Sequence, residues 1–96
     1  MIRHTVVFRL KHAAGSAEEQ DFLQSIQRLA DIASVRRFEC LRQVSPKNKF
    51  SFGVSMEFDS AQGYESYNLH PDHTRFVQSR WIPEVADFME IDYTAL

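Results

Sequence analysis

Ile2-Arg3-His4-Thr5-Val6-Val7-Phe8-Arg9-Leu10 alternates from end to end. Ile2, His4, Val6, Phe8 and Leu10 share one face; Arg3, Thr5, Val7 and Arg9 share the other. Successive side chains of an extended chain point to opposite sides, so this period of two predicts a strand with one buried and one mixed face. His4 is the anomaly, an imidazole in the middle of the apolar stripe. Ala13-Ala14-Gly15 breaks the strand.

Working outward, Ser16 has the position of a helix N-cap, with Glu19 three residues on as its capping-box partner. Phe22, Leu23, Ile26, Leu29, Ala30 and Ala33 then fall within an arc of about 120°, the stripe of a surface helix. This predicts a helix near residues 17–34. Residues 36–45 carry Phe38, Cys40, Arg42 and Val44 on one side and Glu39, Leu41 and Gln43 on the other. After the turn Ser45-Pro46-Lys47-Asn48-Lys49, Phe50, Phe52, Val54, Met56 and Phe58 alternate with Ser51, Gly53, Ser55 and Glu57. These two segments read as a β-hairpin.

Asp59-Ser60 opens a short helix carrying Tyr64 and Tyr67. Pro71 disfavours helical geometry at His70 and itself suits a first helical position, so the chain is expected to bend at His70. A second helical piece is predicted over residues 71–81, with Phe76, Val77 and Trp81 inward and Pro83 ending it. Residues 86–94 alternate again, Met89, Ile91 and Tyr93 opposite Phe88, Glu90 and Asp92. The order β-α-β-β-α-β favours an α+β ferredoxin-like plait, a four-stranded antiparallel sheet with the helices on one face. Thr5, Val7, Leu41, Ser51, Gly53, Ser55, Met89, Ile91 and Tyr93 are assigned to the open face. That face is too apolar for bare solvent, and pairing with a second copy of the chain would cover it.

Composition bounds the rest. Ninety-six residues, 44% hydrophobic and 25% charged, fit one globular domain over residues 1–96 and no disordered or membrane class. The net charge of -2 and scattered Lys and Arg give no pull toward nucleic acid or anionic lipid. Arg9 and Lys11 interrupt the only early apolar run, so no signal peptide is read there. One cysteine, Cys40, allows no internal disulfide. The expectation is a soluble, cytoplasmic protein without nucleic-acid or membrane partners.

Several segments resemble the stress-responsive dimeric A/B barrel family, often called Dabb. They are the opening Ile2-Arg3-His4-Thr5-Val6-Val7-Phe8, Phe58 before the second helix, Tyr67-Asn68-Leu69-His70-Pro71-Asp72-His73, and the closing Ile91-Asp92-Tyr93. The resemblance implies a ferredoxin-like monomer that forms a homodimer around a central β-barrel, and it fixes architecture more firmly than reaction. In the cyclase branch of the family a helix-bend His and a nearby Tyr form the acid–base pair, with a first-strand His close by. The matching positions are His73, Tyr67 and His4.

Each of these residues also has a plain structural reading. A buried His4 must be hydrogen-bonded, since an unsatisfied polar group costs about 1–3 kcal/mol. It is either a core imidazole satisfied by a carbonyl or a Tyr hydroxyl, or a pocket wall. His73 falls at the third position of its helix, where the positive helix terminus favours a neutral imidazole suited to general-base work; otherwise it only orders the bend. Tyr67 is a core Tyr or a hydrogen-bond donor to a substrate carbonyl. Arg80 falls on the His73 face of an ideal helix, and either snorkels outward or binds a substrate carboxylate, with Phe76 and Trp81 as the other substrate-binding candidates.

The expected function is therefore a cofactor-free pocket for a small carbonyl or aromatic ligand, using proton abstraction alpha to a carbonyl in a cyclase- or isomerase-like reaction. Two alternatives stand beside it: a non-catalytic stress-associated dimer or small hydrophobic ligand binder, and a cofactor-free monooxygenase. No metal is expected. Pro71 bends the chain between His70 and His73, and no carboxylate completes an obvious ligand set with His4.

Overall fold

The computed structural model describes residues 1–96. The opening alternation forms β1, Ile2–Leu10, and α1 follows at Ala17–Ile26. Strands β2, Arg36–Arg42, and β3, Phe52–Phe58, make the hairpin. Next come α2, Ala61–Leu69, and α3, Pro71–Phe76, the latter running on through a π-type turn at Val77–Trp81 and a last helical turn at Ile82–Glu84. β4, Val85–Tyr93, closes the chain. The four strands form one antiparallel sheet in the order β2-β3-β1-β4. This is the ferredoxin-like plait, and it places β1 at the centre with β3 and β4 on either side.

The inner face of that sheet supplies the core. Val6, Phe8 and Leu10 of β1 and Phe52, Val54, Met56 and Phe58 of β3 are buried. The helical layer meets them with Phe22, Ile26, Leu29, Tyr67 and Phe76. Ser16 caps α1 by accepting from the Glu19 N–H, while the Glu19 carboxylate accepts from Gly15 N, one residue before the N-cap N–H that a capping box uses. Ser60 caps α2 through Gly63 N, and His70 caps α3 by accepting from Asp72 N at 3.1 Å.

The structure departs from the expected periodicity in three places. First, α1 ends at Ile26 and tightens into a 3₁₀ turn over Gln27–Asp31. Three residues per turn replace 3.6 there, so Leu29, Ile32 and Val35 turn inward at intervals of three and Ala30 and Ala33 stay exposed. Second, β2 is shorter than residues 36–45. Arg37 adopts φ 51°, in the left-handed region, at a break in register between Arg36 and Glu39. Phe38 and Cys40 still pack against the core and Arg42 lies over the Phe52 ring, but Val44 is beyond the strand and exposed. Third, Pro83 lies inside the last helical turn, which runs to Glu84.

The outer face carries Thr5, Val7, Gly53 and Ser55 beside Met89, Ile91 and Tyr93, as the register of β1 with β3 and β4 dictates. Met89, Ile91 and Tyr93 are exposed, as is Leu41 of β2. No helix is long and apolar enough to cross a membrane.

Candidate functional site

Toward the start of β1 the inner face changes character. His4 is only 5% exposed. Its strand neighbours are Met56 on β3 and Asp92 on β4, and α2 brings Tyr64 and Tyr67 over it with ring centroids 4.9 and 6.2 Å away. Phe58 forms an apolar wall, stacked on Tyr64 at 4.8 Å and 5.2 Å from Tyr67.

His4 Nδ1 lies 2.6 Å from Asp92 Oδ1 and 2.7 Å from the Tyr64 hydroxyl oxygen. The Tyr64 hydroxyl donates to Asp92 Oδ2 at 2.9 Å. The tautomer follows from these partners. A carboxylate only accepts and the Tyr64 proton is already committed, so Nδ1 carries a hydrogen. In neutral His4 the lone pair is then on Nε2, away from Asp92. Burial, reinforced by the hydrogen bond to Asp92, holds the Tyr64 phenol well above its ordinary range.

His73 is fixed in a similar way. The bend at His70–Pro71 places its ring 4.3 Å from that of Tyr67. Its Nδ1 lies 3.3 Å from the Asn68 carbonyl oxygen, which can only accept. Nδ1 is again the donor, and Nε2 holds the lone pair. Burial lowers the His73 pKa below the ordinary imidazole value; the Asn68 carbonyl opposes this and the neighbouring His4 adds to it. The direction favours the neutral ring, with burial as its main cause. Tyr67, 3% exposed, has its phenol pushed up by burial and then by the Glu90 carboxylate. It stays protonated and able to donate. Two imidazoles and one phenol donor thus share one end of the domain.

Sequence reasoning passed over Tyr64, Asp92 and Glu90 as site members. The alternation of β4 put Glu90 and Asp92 on one side, and the register makes that side inner: Asp92 faces His4 and Glu90 faces Val6. The signal was present in the pairing of a buried His with two acidic residues on the last strand.

The other expected members lie elsewhere. Phe76 packs on Phe22 at 5.7 Å, and Trp81 on Phe8 at 5.1 Å and on Phe88 at 5.5 Å, within the aromatic core. Arg80 turns toward α1, 2.8 Å from Asp21, and pairs with Glu84. Arg80 Nε sits 2.7 Å from Glu84 Oε2 at an angle too poor for a hydrogen bond, so this contact is an ion pair. The π-type turn at Val77–Trp81 takes more residues per turn than an α-helix, which rotates Arg80 off the His73 face. A polar groove of about 550 Å³ lies between α1 and α3, lined by residues such as Asp21, Arg28, Arg75 and Arg80. None of His4, Tyr64, Tyr67 and His73 lines it.

Residues 2–95 match the model of the stress-responsive A/B barrel domain. The chain belongs to this family. It is 28% identical over 97 residues to a stress-response A/B barrel domain-containing protein of Arabidopsis thaliana, covering 99% of this chain but 37% of that protein. The chain thus spans little more than a third of the curated relative's length. A Dabb family protein with a ferredoxin-like fold from Mesorhizobium loti is 55% identical, with a TM-score of 0.96 over 99% of this chain and 96% of that one. More distant structures share the fold. A dimeric ferredoxin-like protein from Thermobifida fusca is 21% identical, with a TM-score of 0.80 over 98% and 90% of the two chains. The hydroxynitrile lyase of Passiflora edulis is 16% identical, with a TM-score of 0.85 over 99% and 93%.

Proposed function

We propose that the His4–Tyr67–His73 end of the domain binds a small carbonyl compound and abstracts a proton alpha to the carbonyl, with no metal or nucleotide. The observation that carries this reading is the half-buried His73, its Nδ1 tied to a backbone carbonyl, its ring against the Tyr67 phenol and its pKa lowered by burial. His73 Nε2 takes the proton, and the C–H electron pair passes into an enolate whose oxygen accepts a hydrogen bond from Tyr67. The enolate attacks a second carbonyl of the same molecule, closing a ring whose new alkoxide takes the proton back from His73, or is reprotonated by His73 at another carbon, giving an isomer. His4, oriented by Asp92 and Tyr64, fixes the substrate through Nε2. The Passiflora enzyme supports this only as a sign that the scaffold accommodates small-molecule chemistry.

Assembly belongs to the same proposal. The exposed Leu41, Met89, Ile91 and Tyr93 suit a homodimer through the open sheet face, and a cytoplasmic location suits a lone, half-buried thiol. The same apolar face favours the alternative reading, a non-catalytic dimer or hydrophobic ligand binder. A thermal-shift screen of ketones, lactones and phenols separates the two. A ligand that stabilises the native protein, is turned over, and is no longer turned over by the folded His73→Gln variant supports catalysis. Unchanged turnover by that variant rejects it.

A further inference from the structure

Charge around the His4–His73 end is one-sided. Asp92 is engaged by His4 and Tyr64, whereas Glu90, exposed on the inner side of β4, makes no hydrogen bond or ion pair. Four arginines are paired with other carboxylates. Arg3 pairs with Glu57 and Arg36 with Asp59, Arg75 pairs with Asp72, and Arg80 pairs with Asp21 and Glu84. The groups acting electrostatically on Tyr64, Tyr67 and His73 are Glu90, Asp92 and the neighbouring site rings themselves, with no Lys or Arg among them.

We infer that Glu90 is a specificity-determining residue, turning carboxylate-bearing compounds away from the site and leaving it to uncharged carbonyl substrates. The inference rests on the reading of this end as a carbonyl site. A ligand carboxylate beside His4 and His73 would meet an unneutralised negative charge well within a Debye length, with no cation to offset it. A neutral ketone of the same size would meet no such repulsion. Glu90 also favours the imidazolium that His73 becomes on taking a proton, so the same residue assists the base while filtering its substrates.

The test is an NMR titration of the native protein and of the Glu90→Gln and Glu90→Asp variants with acetylacetone and with acetoacetate, following the His4 and His73 ring signals. At low salt the native protein should bind acetylacetone about tenfold more tightly than acetoacetate. Glu90→Gln should shrink that ratio about three- to tenfold, Glu90→Asp should largely keep it, and high salt should narrow it in the native protein. Equal affinities in the native protein, or a ratio unmoved by Glu90→Gln, overturn the inference. Deuterium uptake at the acetylacetone methyl carbons is followed in the same samples. Charge preference without enzyme-dependent uptake rejects the proton-abstraction reading and leaves the filter standing. Shifts confined to residues far from His4 and His73 reject both.

Discussion

The two ends of β1 face the same helical layer and do opposite things. At the Phe8 end, Phe8, Phe22, Phe52, Phe76 and Trp81 meet ring to ring, Phe8 and Phe22 are fully buried, and the charged side chains that reach the cluster, Arg42 and Arg80, lie over the Phe52 and Phe22 rings. At the His4 end, further along the same stripe, the neighbours are Tyr64, Tyr67, His73, Asp92 and Glu90. The dry end removes apolar surface from water, and stability follows. The polar end leaves two imidazole nitrogens and a phenol without protein partners, a pattern that close packing alone would not select. One strand therefore carries both the core and the chemistry, with only Val6 between them on that face.

The comparison breaks most visibly at its dry end. Phe8→Ala should cost about 3–5 kcal/mol of unfolding free energy, measured by chemical denaturation, because it opens a cavity among three other rings. At the polar end the pattern reverses. His73→Gln should lower turnover of an identified substrate by about a hundredfold or more while shifting unfolding free energy by about 1 kcal/mol or less. Asp92→Ala is intermediate. Freed from its carboxylate, His4 loses the bond that sets its tautomer, so turnover should fall about tenfold and stability by about 1–2 kcal/mol.

A smaller effect is in pH. The His73 pKa is lowered on folding from 6.5, so below that value the unfolded chain binds more protons at this group than the folded one. Its contribution to stability is complete above 6.5 and is lost as pH falls through 6.5 toward the lower folded value. The His73→Gln variant should lack this part of the acid-side loss, which paired denaturation curves would show. The rate should correspondingly persist as pH falls to a value below the ordinary imidazole pKa, as the base stays unprotonated there. Smallest of all, Arg80→Ala should leave turnover unchanged and cost about 1 kcal/mol or less, since its partners are on α1 and the last helical turn.

How much of this was legible in the sequence depended on the regularity of each segment. β1 and β3 alternate without interruption, so their faces, and the burial of His4, could be read directly. The bend at His70–Pro71 was legible because proline acts locally on its predecessor. Arg80 was misplaced because the wheel assumed 100° per residue through a stretch that forms a π-type turn. The end of α1 was misplaced for the converse reason, a tightening to three residues per turn with no Gly or Pro to announce it. Asp92 and Glu90 were in view as alternate residues of β4, but the partnership of Asp92 with His4 depends on register between strands whose paired residues are 88 apart in the chain. Periodicity within one segment carries no such information.

The arrangement at the His4 end is tested most directly by nitrogen-15 NMR of the histidine side chains at neutral pH, which distinguishes the two neutral tautomers from the imidazolium. The expected result is a neutral His73 ring protonated on Nδ1, with Nε2 bare, and His4 with its Nδ1 hydrogen lost only when Asp92 is replaced. A His73 that is imidazolium at pH 7, or neutral with its hydrogen on Nε2, would contradict it.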